Sequence, residues 1–245
     1  MTQPESDGAP PSLRSFDPGG VAVVFGATGG IGAALLAALE KAGHFRHVTG
    51  YGRRGTPSFD LTDETSIARV VADAAALGEI RLAVDATGFL HAADKRPEKS
   101  WAELDAARLA HAFAVNAIGP ALLIKHLLPR LPRTGKSVFA TLSARVGSIG
   151  DNRLGGWYAY RASKAALNQF VRTASIELAR RAPAAACVAL HPGTVATGLS
   201  APFVRPGREV HAPEEAARHL LSVIDRLDAS ATGDFLDWRG DPVPW

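Results

Sequence analysis

Short β-rich apolar runs alternate with longer stretches of helical periodicity along nearly the whole chain, and that alternation restricts the fold more than any other feature. Val21–Phe25 is a wholly apolar run ending in a glycine cluster, the pattern of a strand buried on both faces. Residues 31–42 follow with apolar positions at helical spacing and stop at Gly43, a natural C-cap. His47–Tyr51 and residues 58–61 read as short strands, and Asp63 caps a helix running to about Leu77. Residues 82–86, 136–142, Ala185–His191 and 233–237 read as further strands. Residues 101–131, 157–181 and 213–227 read as helices, the last with Pro213 in its first turn. Strands separated by helices predict an α/β fold with a parallel sheet of about seven strands covered on both faces. Right-handed crossovers make the sheet doubly wound, and ligands of such sheets bind beyond the carboxyl ends of the strands. No repeat or linker divides the chain. Residues 20–245 are expected to form one domain, and residues 1–19, rich in Pro, Gly, Ser and Asp, a flexible tail.

Composition excludes several functions. Apolar residues make up 47% and charged residues 21% of the chain, as in ordinary globular proteins. Net charge is only +3 with the basic residues scattered, so no nucleic acid is expected as a partner. Gly, Pro or charge interrupts every apolar run before the ~20 residues of a membrane span, and the N-terminus lacks the apolar core of a signal peptide. The single cysteine, Cys187, permits no internal disulfide. It reads as a small core residue, and a reducing cytoplasm is the expected location.

The first strand runs into Gly26-Ala27-Thr28-Gly29-Gly30-Ile31-Gly32, which opens directly into a helix. A diphosphate needs backbone N–H groups at close range, and side chains there would hold it away. The turn therefore reads as a dinucleotide cradle. The second strand runs into Gly50-Tyr51-Gly52-Arg53-Arg54 without an acidic residue. An acidic residue there would hold a ribose 2′-hydroxyl, whereas arginine accommodates a 2′-phosphate. Arg53 and Arg54 thus favour NADP(H) over NAD(H).

Tyr160-Arg161-Ala162-Ser163-Lys164 falls on a predicted helix. Four residues turn about 400°, so Tyr160 and Lys164 share one face. Tyr158, six residues before Lys164, points elsewhere. Carbonyl reduction needs an acid to protonate the oxygen as hydride reaches the carbon. A nearby ammonium is expected to lower the tyrosine pKa and suit it to that task.

These motifs, with Asp85-Ala86-Thr87-Gly88, Val115-Asn116 and Pro192-Gly193, fall in the order and approximate spacing of the short-chain dehydrogenase/reductase family. The chain resembles that family over about residues 20–245. Within it, residues 143–152 and 155–160, and the ending with Trp238, Gly240 and Pro244-Trp245, look like the C-factor-like and carbonyl-reductase-like branch. The resemblance implies a Rossmann-type fold and NADP(H)-dependent hydride transfer to or from a small carbonyl or alcohol. Tyr160 would be the acid/base, with Lys164 holding the nicotinamide ribose and Asn116 in a proton relay. It also implies that Asp60-Leu61 contact the adenine, Thr87-Gly88 line the cofactor, Pro192-Gly193-Thr194-Val195 meet the carboxamide, and Thr197 touches the phosphates. A homodimer or homotetramer built on the helices around 101–131 and 157–181 is expected by the same analogy.

Two departures stand out. The family's Asn-Asn-Ala-Gly is replaced by residues 85–88, so the asparagines that brace that loop are missing. The family's Ser-Ser-x-x-Gly, aligned on Gly147, gives Ser143 followed by Ala144, and alanine cannot donate to a substrate oxygen. Ser143, Ser148 or Tyr160 alone remains for that role, with Ser143 preferred. The loop 147–157 is expected to line the substrate site, with Trp157 as an apolar wall. His91 and His191 lie near the expected cleft, each read as a packed or solvent-facing residue with substrate contact as the alternative, and no pair is spaced convincingly for a metal. Ala144 and the C-factor likeness leave a second reading open, a cofactor-binding signalling protein of low turnover. A sugar-nucleotide epimerase is disfavoured, because only about 50 residues follow Gly193.

Overall fold

The computed structural model describes residues 12–91, 96–203, 207 and 209–245. Six parallel strands form one sheet: β1 (Val21–Phe25), β2 (His47–Tyr51), β3 (Ile80–Asp85), β4 (Ser137–Leu142), β5 (Ala185–His191) and β6 (Phe235–Asp237), in the order β2-β1-β3-β4-β5-β6. The chain first winds outward from β1 to β2, then crosses back over β1 to β3, so the switch point lies between β1 and β3. Period-2 alternation divides β1 between two cores. Val21, Val23 and Phe25 join the layer of α2 (Glu64–Ala76), α4 (Gly119–Leu127) and α5 (Tyr158–Arg181). Ala22 and Val24 join the layer of α1 (Gly30–Ala42) and α6 (Pro213–Arg226). Cys187 is fully buried in the first layer.

Local signals account for most boundaries. Gly43 closes α1 in the left-handed conformation at φ 62°, where a glycine carries no Cβ penalty. Asp63 caps α2 by accepting from the Thr65 N–H at 2.9 Å, satisfying a donor that the helix leaves open.

Three expectations need correction. Residues 58–61 are not a strand, because their backbone donors are engaged elsewhere. Phe59 N donates to the Gly52 carbonyl and Asp60 N to Ser66 Oγ, leaving β2 as the sheet edge. The predicted helix over 101–131 is several pieces: a short turn Trp101–Glu103, α3 (Ala106–Phe113), a π-helical segment Ala114–Ile118, α4, and a last turn Leu128–Arg130. From Ala106 to Arg130 this run is long and apolar enough to cross a membrane by length and composition. In the fold, Leu123 and Leu127 are core, while Lys125 and His126 meet Glu64 of α2 at 2.6 and 2.9 Å. Finally, the expected tail is packed from residue 12 onward. Leu13 and Phe16 are buried in the second core, and Ser15 holds Asp225 of α6. Residues 1–11 lie outside the described residues.

Candidate functional site

Because every strand runs the same way, the loops after β1 to β5 gather at one edge of the sheet, and the predicted residues gather there with them. The glycine turn starts with Gly26 at φ 81°. A Cβ on Gly32 would collide with the Gly26 carbonyl oxygen, so only glycine lets the helix begin this close to the strand. Gly29 precedes α1 without a side-chain cap, and the first turn contains no acidic residue. The N–H groups at Gly30 and Ile31 therefore face outward without a protein anion, an arrangement suited to a diphosphate. Thr197 lies over this start: its Cγ2 would be 2.7 Å from a Cβ on Gly30. Thr28 similarly abuts Gly52, which brings the turn beside the exposed Arg53 and Arg54. Asp60 is exposed too. Its carboxylate accepts from Thr62 N and Oγ1 at 2.9 and 2.7 Å, and these bonds, with the Arg53 charge, hold its pKa below the usual carboxylate range. Leu61 is buried against Gly119.

The loop after β3 is braced although residues 85–88 contain no asparagine. Asp85 is buried and accepts from Thr87 N (3.1 Å), Thr87 Oγ1 (2.6 Å) and Thr141 Oγ1 (2.8 Å). Burial raises its pKa, while those bonds and the Lys164 charge oppose the rise. Asn116 sits in the π-helical segment, a feature often found at functional sites. Its side chain accepts from Phe89 N and donates to Phe89 O, both at 2.7 Å, and reaches Ser163 Oγ at 3.1 Å. Asn116 thus pins the strand-end loop to α5. Gly88 lies between: a Cβ there would be 3.8 Å from both Asn116 Oδ1 and Lys164 Nζ.

Lys164 is buried, and its Nζ donates to the Leu142 carbonyl at the end of β4 (2.7 Å). Burial lowers its pKa to about 8, against the pull of the Asp85 carboxylate. One turn earlier, Tyr160 lines a cavity of about 220 Å³ together with Phe89, Leu90, Glu98, Arg108 and His111. The expectation that Lys164 depresses the tyrosine is corrected here. Burial pushes the Tyr160 phenol up to about 12, since Lys164 is held toward Leu142 and desolvation of a phenolate dominates.

Both serines are engaged with other partners. Ser143 donates to Asn168 Oδ1 of α5 at 2.6 Å, and Ser148 donates to the Trp245 carbonyl at 3.4 Å and accepts from Asp151 N. Neither lines the cavity of Tyr160, so the preference for Ser143 finds no geometric support. Ala144 follows β4 with little exposure. Trp157 stands 6.2 Å from the Tyr160 ring and 5.1 Å from Phe203, which in turn contacts the His91 ring at 5.2 Å. Three loops thereby contribute an apolar wall beside Tyr160. His191 is nearly buried, and desolvation drives its pKa down to about 4, so it is neutral. After β5, Gly193 takes φ 80° and packs between His211 and Trp238, and Val195 bridges to His211.

Sequence reasoning missed Glu98. Its carboxylate is buried and accepts from Ala159 N at 3.3 Å, while its carbonyl accepts from Trp157 N at 2.5 Å. Trp157 enters α5 in the left-handed region (φ 54°) without a side-chain cap. Glu98 therefore caps the helix that carries Tyr160 from some sixty residues away, with Arg108 3.7 Å from its other oxygen. No local signal marks such a partner.

An all-parallel doubly wound sheet with an uncapped glycine turn at its first crossover defines a dinucleotide-binding domain of the Rossmann class. The chain belongs to the short-chain dehydrogenase/reductase family: a family model described as enoyl-(acyl carrier protein) reductase matches residues 26–229. It is 39% identical to the C-signal of Myxococcus xanthus over 143 residues, covering 58% of this chain and 82% of that protein. It is 33% identical to 1-hydroxy-2-glutathionyl-2-methyl-3-butene dehydrogenase of Rhodococcus sp. (strain AD45) over 190 residues, 77% of this chain and 79% of that protein. Among solved structures, a short-chain dehydrogenase/reductase from Burkholderia multivorans with bound NADP superposes with a TM-score of 0.75 at 25% identity, covering 93% of this chain and all of that one. The carbonyl reductase Sniffer of D. melanogaster shares the fold, with a TM-score of 0.79 at 21% identity over 94% of this chain and 100% of that one.

Proposed function

We propose that the protein is an NADP(H)-dependent carbonyl reductase or alcohol dehydrogenase with Tyr160 as its acid/base. One observation carries the reading: Tyr160 lines a cavity at the carboxyl edge of the sheet, one helical turn from a buried Lys164 that borders Gly88 and Asn116. The first turn of α1 and Thr197 would hold the diphosphate, and Arg53 and Arg54 the 2′-phosphate. Thr87, Gly88, Pro192, Gly193 and Val195 would line the nicotinamide half. The NADP bound by the Burkholderia neighbour supports that choice of cofactor. When bound, it supplies or accepts the hydride.

The phenol of Tyr160 donates its proton to the carbonyl oxygen during reduction and takes it back during oxidation. At about 12 the phenol is protonated throughout the physiological range, so it carries the proton that reduction needs. Lys164 holds a cation beside the ribose position. Asn116 acts by fixing the Phe89 loop and α5 against each other. Ser143 and Ser148 already serve neighbouring groups, so Tyr160 alone donates to the substrate oxygen. The aromatic wall of Trp157 and Phe203 suits a substrate with an apolar body. A reducing cytoplasm fits the single buried cysteine.

The deciding experiment follows NADPH and NADH consumption over a panel of aldehydes and ketones, with wild type beside Tyr160→Phe. Turnover that prefers NADPH and vanishes in the variant is expected. Turnover that survives Tyr160→Phe would overturn the acid assignment. Cofactor-induced thermal stabilisation without turnover of any carbonyl would favour the signalling reading instead.

A further inference from the structure

On the far side of Gly193, three donors converge that neither the fold nor the proposed reaction requires. His211 lies in a bridge with Val195 just before α6, and the spacing of four places Glu215 of the first turn and His219 along one stripe of that helix. One ligand atom from each lies within 4.8 Å of the others. His211 Nδ1 and Glu215 Oε2 are already 3.3 Å apart, about the 3.3 Å that separates two ligands of a tetrahedral ion with 2.0–2.1 Å bonds. The imidazole Nδ1 of His219 is buried without any hydrogen-bond partner, although a buried polar atom ordinarily finds one.

The surroundings hold these donors in place. The His211 backbone is fixed by bonds to Thr194 O and from Ala196 N, both 2.9 Å. The Trp238 ring stacks on His219 at 4.7 Å and meets His211 edge-on at 4.5 Å. The nearby cation Arg239 lies over the outer side of Trp238 and is paired with Glu209 at 3.6 Å.

We propose that His211, Glu215 and His219 form a structural site for a divalent transition ion of the zinc type. Two imidazoles and one carboxylate are a borderline donor set that selects zinc-like ions over magnesium or calcium, and a water completes the tetrahedron. None of the three residues lines the cavity of Tyr160, so the ion has no part in hydride transfer. It ties His211, which pairs with Thr194, Val195 and Ala196, to α6 behind Gly193. The proposal departs from the expectation from sequence that no pair is spaced convincingly for a metal. The spacing is legible in the chain, but Trp238 and the Thr194 pairing, which aim the rings, are not.

The test uses full-length, tag-free protein treated with chelator and titrated with Co²⁺ and then Zn²⁺. Expected are one Co²⁺ per chain with a visible d–d band, displacement of that band by Zn²⁺, and a higher thermal midpoint with Zn²⁺. His219→Ala and Glu215→Gln are expected to remain folded by circular dichroism and to weaken binding by at least about tenfold, since even partners outside a ligand set are worth that much. Absence of the band in wild type, or binding that is unchanged in His219→Ala, would overturn the site. Both results are independent of whether the protein turns over NADPH.

Discussion

The family resemblance assigns to position 144 the serine that donates to a substrate oxygen, and Ala144 stands there instead. An Ala144→Ser variant is expected to raise kcat toward carbonyls, by up to the 10²–10³-fold that one such donor contributes elsewhere, measured by initial rates at saturating NADPH. Ser143→Ala should leave kcat within about twofold while lowering stability by ~1–2 kcal/mol in urea titration, because it leaves the buried Asn168 oxygen without its donor. Lys164 makes a pH prediction. Burial lowers its pKa from 10.5 to about 8, so the folded state releases this proton more readily than the unfolded one. The contribution to stability is complete above about pH 10.5 and is lost as pH falls through about 8. Denaturation from pH 7 to 10 should therefore move in favour of wild type over Lys164→Met, by on the order of 3 kcal/mol. At this scale the Tyr160–Lys164 pair was legible because helical spacing alone puts the two on one face. The Ser143–Asn168 and Thr141–Asp85 bonds were not, since their partners are chosen by chain packing.

Element α5 illustrates how a long helix depends on residues outside itself. Its N-terminus has no side-chain cap of its own, and Glu98 provides the carboxylate that accepts from the Ala159 N–H at the positive dipole end of the helix. Glu98→Gln should lower stability by ~2–4 kcal/mol, as for a buried ion pair broken on one side. It should also reduce kcat by loosening the turn that carries Tyr160, with cofactor affinity nearly unchanged. A loss confined to stability would show that the cap does not position the phenol. The 106–130 region teaches a related point. Its periodicity predicted one continuous helix, yet the π-helical segment Ala114–Ile118 re-aims Asn116 at Phe89. Periodicity in the sequence averages over a turn and passes over one extra residue.

On the scale of the whole molecule, exposed apolar side chains at Ile118 on the approach to α4 and at Phe170 and Ile176 on α5 are more than an isolated surface helix ordinarily shows. A dimer or tetramer is expected by light scattering at micromolar concentration, and the double change Phe170→Asp, Ile176→Asp should shift it toward monomer. A wild type that is monomeric throughout would remove the helix-to-helix interface. The single parallel sheet explains why loops after β1 to β5 can build one site: the same strand polarity that buries both faces delivers each strand end to one edge.

Pattern within the chain determined what repeats on a local scale: strand and helix alternation, the two-faced burial of β1, the caps at Gly43 and Asp63, the glycine turn and the Tyr160–Lys164 pair. Each depends on residues within a turn or two, so spacing suffices to read it. Packing in three dimensions decided the rest. The missing strand at 58–61, the ordered segment from Leu13, the burial that raises the Tyr160 phenol, the remote cap Glu98 and the aim of His211 and His219 all depend on partners outside the segment itself, from Ser66 for Asp60 to Asp225 for Ser15. Desolvation and hydrogen bonding act on whatever lies adjacent in space, and only the folded chain specifies those neighbours.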